Sequence, residues 1–209
     1  MEIKKKFILT IVLLSYLATA INGAIVITGL ENMAKDLDLN QSVLSWVQNS
    51  YVLAWGCFML LGGRLSDAFG RRVILNLSLL LFGIGSLFAG IATSATILIL
   101  SRFIQGVGAS ILAPTSLALI MDYFTGEERI KAIAWYSSIS GLGMCIGLVM
   151  GGTLASFLSW RYGFFIYLPL IVFMLIVSMK VLNKNTKKHS KGYFDIYGTI
   201  ASVIGIFSF

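Results

Sequence analysis

No charged residue occurs between Arg72 and Arg102. A surface facing water cannot be built from such a stretch, whereas a helix crossing a bilayer needs only about 20 consecutive apolar residues. The run is too long for one such helix, and it softens at the "GIATSAT" stretch beginning with Gly90. It therefore reads as two spans joined by a tight turn. The composition agrees: 57% of residues are hydrophobic, 12% are charged and the mean hydropathy is +0.88, against roughly 25% charged in soluble domains. The same reading along the whole chain gives six spans, at about residues 7–30, 43–61, 73–92, 96–121, 132–158 and 164–182. The runs are apolar all round and do not alternate, so helices are expected rather than barrel strands. The expected fold is an all-α integral membrane protein, with a six-helix bundle over residues 1–182, a polar linker over 183–194 and the start of a seventh span over 195–209.

The basic residues fall in clusters between alternate spans. Lys4, Lys5 and Lys6 precede the first span, and Arg64, Arg71 and Arg72 lie between the second and third. Arg129 and Lys131 lie between the fourth and fifth, and Lys180, Lys184, Lys187, Lys188 and Lys191 close or follow the sixth. The opposite side carries Lys35 and Arg161. By the positive-inside rule the N-terminus is expected in the cytoplasm of a multi-pass protein of the plasma membrane, a bacterial inner or cell membrane. The net charge of +7 is thus topology information and not a nucleic-acid stripe, so no nucleic-acid partner is expected. The first apolar run exceeds the h-region of a cleaved signal peptide. Cys57 and Cys145 lie in apolar runs and read as small buried hydrophobes, and His189 reads as a solvated residue of the lysine-rich linker. No metal or cofactor is expected. A membrane enzyme fares poorly, because the chain has no HExxH, GxSxG or phosphate-binding glycine loop, and the chain is read as non-enzymatic.

The stretch "GGRLSDAFGRR", Gly62 to Arg72, interrupts two uncharged flanks. Positive charge alone would anchor a loop. It would not explain Asp67, which at four residues from Arg71 can pair with it on a helical turn. Nor would it explain Gly63, which lets helices approach closely, or Gly70, which suits a sharply turning backbone. Gly63-Arg-Leu-Ser-Asp67-Ala-Phe-Gly70-Arg71-Arg72 resembles the 2–3 loop signature of the major facilitator superfamily, G-x-L-a-D-x-x-G-R-[RK]. Further segments resemble that family in order: "SRFIQGVGAS" with Arg102, Gln105, Gly106 and Gly108 in span 4, "GMCIGLVMGG" in span 5, and "SWRYGFFIYLP" at the turn into span 6. "FDIYG" at Phe194–Gly198 and "WVQNSYVLAWGCFMLLGGRLSD" are similar to the fourteen-span drug:proton antiporters, the EmrB/QacA-like group.

The resemblance implies a secondary transporter, with two six-helix bundles rocking about a midplane site. It implies proton-coupled efflux of drugs or metabolites, with a small hydrophobic solute, protons and the bilayer as partners. It makes Asp67, Arg71 and Arg72 a cytoplasmic latch, with Asp122 and Arg129 as neighbours. It places Arg102 on the central cavity in a coupling role. Asn22, Gln48, Asn49, Tyr51, Gln105 and Gly106 are expected cavity or lining residues. Gly143, Gly147 and Gly151 share one helix face, and with Gly152 they form the span-5 packing motif.

Three departures weaken the antiport reading. Asn22 stands where the group carries an acid, Glu31 where it carries a proline, and Leu148 where span 5 carries its kinking proline, so that kink is expected to be weak or absent. None of the nine acids lies at a span centre, so a proton-coupling carboxylate is either Glu31 or outside this chain. A chain stopping inside a seventh span reads as an N-terminal fragment whose C-terminal bundle is missing. A facilitator or importer of another solute and a non-transporting truncated membrane domain are the alternative functions.

Overall fold

The computed structural model describes residues 3–182. The expected linker at 183–194, with His189, and the seventh-span start at 195–209 lie outside the described residues. The helices are α1 (Ile3–Leu37), α2 (Gln41–Phe69), α3 (Arg71–Gly90), α4 (Ala95–Tyr123), α5 (Gly126–Phe157), the single-turn α6 (Tyr162–Phe165) and α7 (Tyr167–Val181). Six units are long and apolar enough to cross a membrane, α6 and α7 together making the sixth as Tyr162–Val181. Those six units match the expected spans.

Helix α4 is the most enclosed and α5 the least. Helices α2 and α3 pack along α4, α1 packs along α5, and α7 closes the bundle against α3 and α1. The main core joins Ile8, Val12, Ile25, Leu75, Phe82, Leu112, Leu119 and Ile171 across these contacts. A smaller core gathers Val26, Met33, Val47, Leu98, Trp160 and Phe164 at the other end.

The helices outlast the apolar runs. The "GGRLSDAFGRR" stretch was expected as a loop, but α2 continues to Phe69 and α3 starts at Arg71, leaving Gly70 alone between them. Likewise "DYFTGEERIK" interrupts the helices only at Phe124 and Thr125. Charge ends a hydrophobic run without breaking a ladder of i→i−4 hydrogen bonds, since long polar side chains reach outward from a helix that has left the hydrocarbon. The soft break near Gly90 is a real turn. Ser94 caps α4 there by accepting the Ile97 N–H at 3.4 Å, as Asn40 caps α2 by accepting the Val43 N–H at 2.9 Å.

Gly70 reverses the chain with φ 94° and ψ 139°, a backbone conformation open essentially to glycine alone. Space is not the constraint, because an added Cβ would meet nothing within 4 Å. Gly70→Ala should therefore cost about 2 kcal/mol through backbone strain. That lowers Tm by roughly 4–8 °C for a chain of this size. A thermal melt of the detergent-solubilised variant checks this, and an unchanged Tm would contradict it.

Cys57 is buried as expected, but Cys145 is exposed. Helix α5 turns most of its surface outward, so an apolar position on it is not thereby a buried one. With Leu148 in place of proline, α5 runs unbroken from Gly126 to Phe157. The helix-interior proline is Pro114 of α4.

Candidate functional site

Two polar groups centred on an arginine stand out in the bundle, one at its centre and one at a helix junction. The central group is built on glycine. A Cβ on Gly106 would lie 2.5 Å from the Tyr51 carbonyl oxygen, and one on Gly85 would lie 2.7 Å from the Gln105 backbone nitrogen. Backbones of α2, α3 and α4 therefore touch at this level, and the side chains of Arg102 and Gln105 lie wedged among them.

Arg102 is fully buried. Its Nη1 donates to Asn22 Oδ1 at 2.7 Å and, more closely, to Gln105 Oε1. Its Nε donates to the Val47 carbonyl at 3.2 Å. The guanidinium lies 4.2 Å over the Tyr51 ring, with Phe164 at 6.0 Å. Gln105 Nε2 donates to the Ser86 hydroxyl at 2.7 Å, and that hydroxyl donates to the Phe82 carbonyl at 2.8 Å. One cation thus links α1, α2 and α4, and through Gln105 the linkage reaches α3. Such a charge costs at least ~2.5–3.5 kcal/mol in hydrocarbon, which carbonyl and amide oxygens and an aromatic face offset here.

Arg102 was expected on the central cavity. It is enclosed within the described bundle instead, because α1 and α2, with Gln105 of its own helix, supply acceptors that water would otherwise supply. Asn22, Gln105, Tyr51 and Gly106, expected to line the cavity, are buried in the same group, and Val47, Ser86 and Phe164 are additions no spacing rule reveals. Gln48 is half-buried with Oε1 unpartnered, and Asn49 is exposed. Glu31 is not part of the group. It is exposed, pairs with Lys35 at 2.7 Å, and lies about 13 Å further along α1 than Asn22.

The junction group centres on Arg71. Its Nη1 lies 2.5 Å from Asp67 Oδ1 and its Nε lies 3.2 Å from Asp122 Oδ2. Nη1 also donates to the Ser66 hydroxyl at 3.2 Å. The Gly70 reversal folds Arg71 back beneath the last turn of α2, within reach of α4. The glycine that brings α2 against α4 is Gly62, where an added Cβ would sit 2.7 Å from Ile111 Cα. Gly63 has only an ordinary contact, 3.8 Å from Pro114 Cβ. Asp67 and Asp122 therefore flank Arg71 as expected, but Arg72 and Arg129 do something else. Arg72 donates to the Met179 carbonyl at 2.9 Å, at the end of α7. Arg129 donates to the Phe124 and Met121 carbonyls at 2.8 and 3.0 Å, at the end of α4. Both bind the unpaired carbonyls that every helix C-terminus leaves.

Along α5, Gly143, Gly147 and Gly151 form the expected seam, against Ala20, Ala24 and Thr28 of α1. Gly152 is not in it, since an added Cβ there would meet nothing within 4 Å. The seam is pinned by Lys5 with Glu128 at 2.6 Å and by Asn32 Nδ2, which donates to the Ala155 carbonyl at 2.7 Å. At the end away from Arg71, Arg161 joins the Asp36 carboxylate, donates to the Ala92 carbonyl at 2.9 Å and lies 4.4 Å over the Trp160 ring. The sequence shows Arg161 only as a charge on that side.

The family model described as Major Facilitator Superfamily matches residues 12–206. The chain belongs to that superfamily. It is 36% identical to the puromycin resistance protein pur8 of Streptomyces alboniger, covering 95% of this chain and 39% of that protein. It is 30% identical to the multidrug transporter protein MdtP of Bacillus subtilis, covering 98% of this chain and 38% of that one. The fold superposes with a TM-score of 0.72 and 18% identity on the crystal structure of a bacterial homologue of the human lysosomal transporter Spinster, inward-facing and occupied, over 93% of this chain and 47% of that one. The chain thus spans less than half the length of these relatives. Its described residues make one six-helix bundle of a multi-pass membrane protein, in a superfamily of transporters.

Proposed function

We propose that this chain is one half of a secondary active transporter that moves drugs or related hydrophobic metabolites out of the cell by alternating access. In that reading the Arg71 end faces the cytoplasm, the chain sits in the cell membrane with its N-terminus inside, and the seam and core hold the bundle as one rocking body. The carrying observation is the junction group. Arg71 is shared by two carboxylates, and the Asp67 side chain is 56% exposed, so one carboxylate is held by the bundle while the other can exchange partners. A charge cluster with two arrangements a few kcal/mol apart is a suitable latch. The resistance and multidrug-transporter names of the relatives support the substrate class.

One observation favours a second reading, a facilitator. The Arg102 group holds no carboxylate among the described residues, with Asn22 accepting where an acid could carry a proton. Efflux of a fluorescent hydrophobic dye, from cells expressing the intact protein, separates the two. Addition of a protonophore should abolish expression-dependent efflux if transport is proton-coupled. Efflux down the dye gradient that survives the protonophore would establish the facilitator, and no expression-dependent flux at all would overturn both.

A further inference from the structure

The centre of the bundle carries a positive charge that no described residue neutralises. Arg102 is fully buried, and every oxygen it meets belongs to a neutral group: Asn22, Gln105 and the Val47 carbonyl. Every acid of the sequence outside the undescribed segments sits in or near a helix-end turn. The donors are also in excess. Arg102 Nη2, Asn22 Nδ2 and the Tyr167 hydroxyl are all buried without a hydrogen-bond partner. They are neighbours, since Asn22 Oδ1 is held by the same guanidinium and the Asn22 side chain also faces the Tyr167 hydroxyl. Asn22 is fully buried and Tyr167 is 2% exposed.

A buried ion without a counter-charge, ringed by unused N–H and O–H donors, has the chemistry of an anion acceptor. The aromatic walls favour a small ion. Tyr51 lies against one face of the guanidinium and Phe164 nearby, and Gly106 and Gly85 leave no slack between the helices. We propose that Arg102, Asn22 and Tyr167 bind a compact monovalent anion, either a free halide or the carboxylate group of a solute. This does not depend on what, or whether, the chain transports. It assigns the group a ligand of opposite charge to the proton expected from the family resemblance.

The test is thermal stability of the intact protein in detergent, at constant ionic strength. Isethionate, a much larger monovalent anion, is replaced stepwise by chloride or by acetate. A ligand that binds only the folded state raises Tm in a dose-dependent way that becomes logarithmic in concentration above Kd. The expected rise is roughly 5–10 °C at a hundredfold excess over Kd. A response to both ions means that a free halide suffices, and a response to acetate alone assigns the group to a carboxylate. Asn22→Asp supplies the counter-charge within the protein while keeping the oxygen that accepts from Nη1. It should melt at least as high as wild type in isethionate and respond to neither ion. The proposal is overturned by a wild-type Tm that is the same in all three salts, which is the result if only water fills the group. It is equally overturned by an Asn22→Asp protein that responds as wild type does.

Discussion

Gly147→Val should leave little folded protein. A Cβ at this position would sit 2.7 Å from Ala24 Cβ, 2.7 Å from the Ile21 carbonyl oxygen and 3.0 Å from Ile21 Cα. Two of those atoms are backbone and cannot turn aside, so α1 and α5 must separate or tilt. Overpacking alone costs about 1–3 kcal/mol where side chains can adjust. Forcing two helices apart along a seam that also seats Gly143 and Gly151 should reach the top of that range or pass it. The expected loss is about 10 °C or more in Tm, with most of the protein eluting as aggregate in size-exclusion chromatography. Gly152→Val is the internal comparison. It changes the same residue type on the same helix, five positions away, into open space, and should elute and melt as wild type. Equal behaviour of the two variants would mean that the seam does not hold the bundle together.

Asp67→Asn should reduce transport to less than one-tenth of the wild-type rate while leaving the protein inserted and folded. The substitution keeps shape and hydrogen-bonding reach but removes one of the two negative charges on Arg71. Stability should hardly move, because exposed ion pairs contribute only about 0–1 kcal/mol and Asp122 still holds the guanidinium. The effect on transport is large only if the Asp67 carboxylate is needed in the other arrangement of the latch. Initial efflux rates, measured beside the amount of monodisperse protein, separate the two quantities. Wild-type efflux from Asp67→Asn would sink the latch. A parallel fall in folded protein would instead make the group a structural tie.

The spans could be read directly, because a bilayer demands long uncharged stretches and the clustered lysines and arginines mark their ends. The sharp turn at Gly70 was legible too, but as part of an expected loop and not as the single residue between two helices. What could not be read was rotation about each helix axis. Gly62 and Gly63 are adjacent, about 100° apart around α2, and which of them meets Ile111 depends on how α2 sits on α4. The same uncertainty separates Gly151 from Gly152, and it hid the exposure of Cys145. The company kept by Arg102 was harder still, since Asn22, Val47, Tyr51 and Ser86 arrive from three other helices. Arg72 and Arg129 carry the charge a latch would need, but the local demand of helix C-termini for donors claimed both.

The α1–α5 seam also sets a timetable for biosynthesis. Its outer ties, Lys5 to Glu128 and Asn32 to Ala155, each join residues 123 apart in the chain. At roughly 5–20 residues per second, α1 leaves the ribosome roughly 6–25 s before the residues that complete its seam. Through that interval the face bearing Ala20, Ala24 and Thr28 has no helix to lie against, and Asn22 waits for an arginine on α4. Helix α1 is therefore made before the other described helices and is among the last of them to be secured. Whatever shelters nascent helices at the insertion site must hold this one while three others pass.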